Sequence, residues 1–158
     1  MEGLEDKDLT PMLEYETQMF LDIVHNDGLV VTAKGLSMDL VLINLFKVYC
    51  DPGNLVIVLN CTEFEEKYYV EKLNNPNVHT TTFSTSTTER EDIYLSGGIH
   101  FVTTRILVVD MLKKRIPIDK ITGFIVLQAH RILESCQEAF VLRLFRQHNK
   151  VIIFFEIM

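Results

Sequence analysis

The sequence is poor in cysteine, and the three it has, Cys50, Cys61 and Cys136, are odd in number and scattered. They form no CxxC pair, and no histidine stands at zinc-ligand spacing, so the pattern predicts a reducing intracellular compartment and no metal ligands. No apolar run approaches the roughly 18 residues that a membrane-spanning helix needs, so no membrane partner is expected. The first ten residues, MEGLEDKDLT, lack both the basic and the apolar region of a secretory signal. Basic side chains are also scarce. Lys and Arg number 15 against 22 Asp and Glu, a net charge of -7 that excludes a globally basic nucleic-acid binder. No internal repeat is present, and the one biased segment is the Thr/Ser stretch 80–88.

What remains is enough for one folded domain: 158 residues, 47% hydrophobic and 23% charged. The charge is unevenly spread. Residues 1–104 hold 6 basic and 17 acidic side chains, whereas 105–158 hold 9 and 5. An anionic partner is expected to meet the C-terminal third.

Along the chain, Thr10-Pro11 predicts a helix start, with apolar residues at helical spacing up to Asn26-Asp27-Gly28. Leu29–Val31 then reads as a strand, Lys34-Gly35 as a turn, and Met38–Tyr49 as a helix. Leu55–Leu59 is a second strand, and Glu63–Leu73 a second helix. Val78–Glu89 predicts a short strand leading into a mobile loop. Ile99–Thr103 is a further strand, Arg105–Lys114 a helix capped by Thr104, Gly123–Leu127 another strand, and Arg131–Gln147 a long final helix. Alternating strands and helices predict an α/β fold with an open, mainly parallel sheet covered on both faces. Any site belongs at the carboxyl ends of its strands.

Two strand ends bear on nucleotide chemistry. A phosphate-binding turn of the form A-x-x-G-x-G-K-T needs glycine amides around the phosphates, a lysine reaching them and a hydroxyl on Mg²⁺. Ala33-Lys34-Gly35-Leu36-Ser37-Met38-Asp39 keeps Gly35 and then puts Ser37, Met38 and Asp39 at the second glycine, lysine and hydroxyl positions. At an effective dielectric near 20, a carboxylate about 4 Å from a phosphate charge is repelled by roughly 4 kcal/mol. The D-E-A-H position after the strand Gly123–Leu127 reads Leu127-Gln128-Ala129-His130. An aliphatic group cannot ligate Mg²⁺, and an amide cannot act as a base. Both halves of the hydrolytic chemistry are missing from the sequence.

Gly28 to Asp39, Gly97-Gly98, Thr104 to Asp110 (TRILVVD), Arg115-Ile116-Pro117, and above all Ala129-His130-Arg131-Ile132 followed by ESCQEAFVLRLFRQ carry a resemblance. From about Leu13 to Lys150 the chain resembles the N-terminus of the XPF family of structure-specific DNA repair endonucleases. The resemblance implies a three-layer, RecA-like lobe, a degenerate first domain of a superfamily 2 helicase-like module. By this reading residues 1–10 are an acidic tail, 11–150 the lobe, and 151–158 a divergent apolar tail. It further implies a nuclear, non-catalytic lobe that binds branched or damaged DNA and docks on a repair scaffold protein, in nucleotide excision and interstrand crosslink repair. The family's metal-dependent nuclease domain, with its G-D-x(n)-E-R-K motif, and the domain that binds its small non-catalytic subunit have no counterpart in these residues. No catalytic residue and no cofactor are therefore expected here. An alternative is a truncated or splice-variant product without independent activity. An ATP-dependent motor fragment is disfavoured by Met38, Asp39, Leu127 and Gln128.

The candidate DNA contacts are Lys34, Arg105, Lys113, Lys114, Arg131 and Lys150. At 100° per residue, a helix over 131–147 puts Ile132, Leu133, Cys136, Ala139, Phe140 and Leu144 on one arc, expected to pack on the sheet. Val141, Leu142 and Phe145 fall on a second apolar face, expected either to dock on a partner or to be covered by the Thr/Ser loop or the tail. The tail Val151–Met158 reads as an aggregation-prone edge or replacement end, or else as a last strand of the sheet.

Overall fold

Three five-residue runs, LVIVL, GIHFV and GFIVL, are buried at every position. Strands buried on both faces belong in the middle of a parallel sheet with helices on each side. The computed structural model has this arrangement, and it describes residues 8–149 and the backbone of 154–157. The elements are α1 (Glu14–Ile23), β1 (Gly28–Val30), α2 (Asp39–Tyr49), β2 (Leu55–Leu59), α3 (Glu63–Leu73), β3 (Val78–Thr81), α4 (Thr87–Ser96), β4 (Gly98–Val102), α5 (Thr104–Leu112), β5 (Gly123–Leu127), α6 (Gln137–His148) and β6 (Phe154–Ile157). All strand pairs are parallel, in the order β1-β6-β5-β2-β4-β3.

Alternation along the strands divides the core in two. Val56, Val58, Ile99, Phe101, Ile125 and Leu127 meet α1, α2 and α3 through Phe20, Leu45, Phe46 and Tyr69. Leu55, Ile57, Leu59, Phe124 and Val126 meet α4, α5 and α6 through Tyr94, Leu107, Met111, Val141 and Phe145. The Gly97-Gly98 pair is required where the chain turns into β4. Both have positive φ, and a Cβ on Gly98 would lie 2.0 Å from the Asn77 carbonyl oxygen.

Several sequence expectations are corrected. α1 begins at Glu14 rather than after Thr10, with Leu13 as the capping residue and the Glu16 carboxylate accepting from the Leu13 amide at 2.8 Å. Thr10 instead pairs its backbone with the Asn44 amide group at 2.7 and 2.8 Å, strapping the segment before α1 onto α2. The loop expected after β3 is confined to residues 82–86, and α4 follows it from Thr87, started by Ser86, whose hydroxyl accepts from the Glu89 amide. Threonine-rich sequence hid this helix because tertiary burial of Tyr94, not intrinsic propensity, holds it. In α5 the cap position is Thr103, and the Thr104 hydroxyl donates to Glu138 at 2.9 Å.

The largest correction concerns α6. It starts at Gln137, so Ile132 and Leu133 precede it and cannot share its face. Val141 is 0% and Phe145 1% exposed, packed with Phe124, and Leu142 is half-buried against the same core. These three are not an open docking face. Leu133 and Phe140, expected inside, are 68% and 39% exposed.

The tail also departs from an edge reading. Phe154–Ile157 lies inside the sheet between β1 and β5, with Leu29 opposite Glu156 and Leu127 opposite Ile157. Among the described strands, β1 pairs with β6 alone.

Candidate nucleic-acid interface

Because all six strands are parallel, the loops after β1, β2, β3, β4 and β5 open on one edge. That edge gathers Lys34 and Gly35 after β1, Arg105 in the first turn of α5, and His130 and Arg131 after β5; all five residues are exposed. Lys113 and Lys114 end α5 and so lie at the opposite edge of the sheet. They cannot join the same short phosphate path. Lys150 is outside the described residues.

The degenerate phosphate turn has a definite geometry. Gly35 adopts a φ of +97°, and the Leu36 amide donates to the Ala33 carbonyl at 3.1 Å. Ser37 Oγ accepts from the Asp39 amide at 3.2 Å, using one of the free donors at the start of α2. Met38, at the lysine position, is 6% exposed and packs into the core with Val41 and Leu42. Asp39 stands in the first turn of α2 and accepts from the Tyr69 hydroxyl at 3.4 Å. The positive end of the helix dipole, which in a nucleotide site meets phosphate, here meets the chain's own carboxylate.

At the other strand end, Leu127 is buried and Gln128 is held in the left-handed region at φ 52°. Ala129 is buried while His130 points into solvent, where a carboxylate pair would be needed for metal-assisted hydrolysis. Among the described residues, no group of three or more His, Cys, Asp or Glu is placed to hold a metal ion.

Sequence reasoning missed the polar network that joins α4 to α5. Asp110 on α5 is fully buried; Arg90 of α4 donates to it through Nε at 2.9 Å and Nη2 at 3.1 Å, and Tyr94 through its hydroxyl at 2.8 Å. Burial first, and then the Asp110 carboxylate, push the Tyr94 phenol far above its ordinary range. The signal was a single acid inside the apolar run RILVVDML. Glu138, despite the opposing effect of burial, is held below the usual carboxylate range by a backbone amide, Thr104 and Cys136, which ties the start of α6 to the start of α5 beside Arg105.

No protein-family model matches the chain. Comparison with known proteins finds it 59% identical over 139 residues to the DNA repair endonuclease XPF of Drosophila melanogaster, covering 88% of this chain and 14% of that protein. It is 49% identical to the XPF of Cricetulus griseus over 148 residues, covering 91% and 16%. It is 38% identical to the DNA repair protein rad16 of Schizosaccharomyces pombe, covering 87% and 16%. The chain thus spans about one seventh of the length of these relatives. Among solved structures, the Hef helicase domain of Pyrococcus furiosus superposes with a TM-score of 0.77 at 19% identity, covering 91% of this chain and 32% of that one. The yeast DEAD-box splicing factor Prp28 superposes at 0.69 and 12% identity, covering 94% and 41%. The chain is a homologue of the XPF DNA repair endonucleases over one part of their length, built on the RecA-like fold of helicase domains.

Proposed function

We propose that the chain is a non-catalytic, DNA-binding lobe of an XPF-like, structure-specific DNA repair endonuclease, acting in the nucleus in nucleotide excision and interstrand crosslink repair. The observation that supports this reading is the composition of the carboxyl edge. Lys34, Arg105 and Arg131 share an edge on which the nucleotide-hydrolysing positions are taken by Met38, Asp39, Leu127 and Gln128. A site of this kind holds a phosphate backbone without turning over a nucleotide. Its specificity comes from the junction's shape rather than from base edges. Scaffold docking is the second half of the proposal. With Val141 and Phe145 in the core, the exposed Leu133 and Phe140 are the apolar residues near α6 left for it.

A fluorescence titration with a splayed-arm duplex at several salt concentrations tests the DNA reading. Lys34→Ala with Arg105→Ala weakens binding to all sequences alike and flattens the salt dependence. Unchanged affinity and slope in the double variant remove these residues from the site. Absence of any salt-dependent binding by the unmodified chain defeats the reading and favours a product without independent activity.

A further inference from the structure

Thr62, Ser86, Thr88 and Ser135 are the described serines and threonines followed three places later by a carboxylate. Kinases that select acidic substrates read carboxylates just after the acceptor, and the structure separates these four. Thr62 Oγ1 is engaged in a capping box, donating to Glu65 at 2.8 Å and accepting from its amide. Ser86 Oγ caps α4 by accepting from the Glu89 amide at 3.2 Å. Ser135 is followed by Cys136 and Gln137, and its one acid, Glu138, is bound to Thr104. Thr88 is exposed, its hydroxyl makes no hydrogen bond among the described residues, and Glu89, Glu91 and Asp92 stand one, three and four places on; Glu91 meets Arg115 at 3.8 Å, the long end of an ion pair, and stays 44% exposed.

We propose that Thr88 is a phosphorylation site for an acidophilic serine/threonine kinase. The γ-phosphoryl group of ATP passes to Thr88 Oγ1. A new O–P bond forms as the bond to the β-phosphate oxygen breaks, ADP leaves, and the hydroxyl proton goes to the kinase's base. Thr88 is the second residue of a ten-residue helix, and a first turn opens readily enough to enter a kinase cleft. Once formed, the phosphate sits among the free amides and the positive dipole end of α4, so the modified helix is retained rather than melted.

The consequence for DNA rests on the function proposed above. α4 and α5 follow the adjacent parallel strands β3 and β4, so both start at the carboxyl edge. A dianion on Thr88 therefore adds negative charge to the same carboxyl edge that carries Lys34 and Arg105, and repels a DNA backbone held there.

Incubating the full chain with a purified acidophilic kinase and ATP, followed by peptide mass mapping, tests the site. The expected result is one phosphate on Thr88, absent from Thr88→Ala and kept by Thr62→Val, Ser86→Ala and Ser135→Ala. No incorporation, or incorporation at one of the other three instead, overturns the proposal. Titrating both forms with the splayed-arm duplex then separates the two readings. Several-fold weaker binding by the phosphorylated chain supports the regulatory consequence, and equal binding overturns it. If the unmodified chain binds no DNA, the DNA-binding function fails, while the site itself still stands or falls on the mass map.

Discussion

Arg90 and Asp110 form a two-point ion pair, Nε to Oδ2 at 2.9 Å and Nη2 to Oδ1 at 3.1 Å, with the carboxylate wholly removed from solvent. Tyr94 and, at 3.4 Å, Arg115 complete its coordination. A buried pair of this kind adds little over an apolar replacement of both partners, but removing one partner leaves a charge stranded. Arg90→Met is therefore expected to lower stability by about 3–5 kcal/mol, read as a fall in urea midpoint. Arg115→Met, whose contacts are longer, at 3.4 and 3.8 Å, and whose own side chain is more exposed than that of Arg90, is expected to cost about 1 kcal/mol or less. Equal effects of the two variants would contradict this ranking.

His100 is enclosed in β4, where burial first and the neighbouring His79 second push its pKa down to about 4, the Gly97 carbonyl opposing them. The rings of His79 and His100 lie 4.9 Å apart, and His100 Nδ1 has no partner. With a folded-state pKa below the unfolded value of about 6.5, the unfolded chain takes up a proton first as pH falls. The stability supplied by neutral His100 is thus complete above pH 6.5 and is lost between there and about 4, by roughly 3 kcal/mol in all. Chemical denaturation across this window measures the loss, and His100→Gln flattens it. A variant with the same pH slope as the parent shows that other groups set it.

The chain is expected neither to bind Mg-ATP at micromolar affinity nor to hydrolyse it, as calorimetry can establish. Restoring the missing charge does not rescue binding, because the Met38 side chain lies in the core. Met38→Lys places an ammonium among Val41 and Leu42, and a loss on the order of 3 kcal/mol or more follows. Micromolar Mg-ATP binding by either protein would sink the prediction.

β1 relies on β6 for its strand pairing among the described residues. Deleting 151–158 is therefore expected to speed hydrogen exchange at the Leu29 and Val30 amides while leaving β2, β4 and β5 protected. Unchanged exchange at both positions would show that β6 does not fasten β1.

Phe145 packs edge-on to Phe124 at a ring separation of 4.8 Å. Phe145→Ala is expected to cost about 3–5 kcal/mol, whereas Leu133→Ser with Phe140→Ser changes stability by less than about 1 kcal/mol. Thermal melts of the two proteins distinguish them, and a reversed order would restore the inward face expected from the helical wheel.

The alternation of strands and helices is legible in the residues alone. The runs LVIVL and GFIVL are too apolar to lie anywhere but inside a covered parallel sheet, and the missing lysine and carboxylates at Met38, Leu127 and Gln128 were equally legible, because catalytic chemistry depends on residue type at a known spacing. Tertiary structure alone decided what faced what. The inward side of α6 depended on where the helix began, and apolar Ile132 and Leu133, lying before Gln137, shifted the wheel toward the wrong face. Lys113, Lys114 and Arg105 are close in sequence yet divided between opposite edges, since a nine-residue helix carries the chain across the sheet. β6 entered the sheet between β1 and β5 because strand order is set by long-range pairing, which no local pattern of side chains encodes.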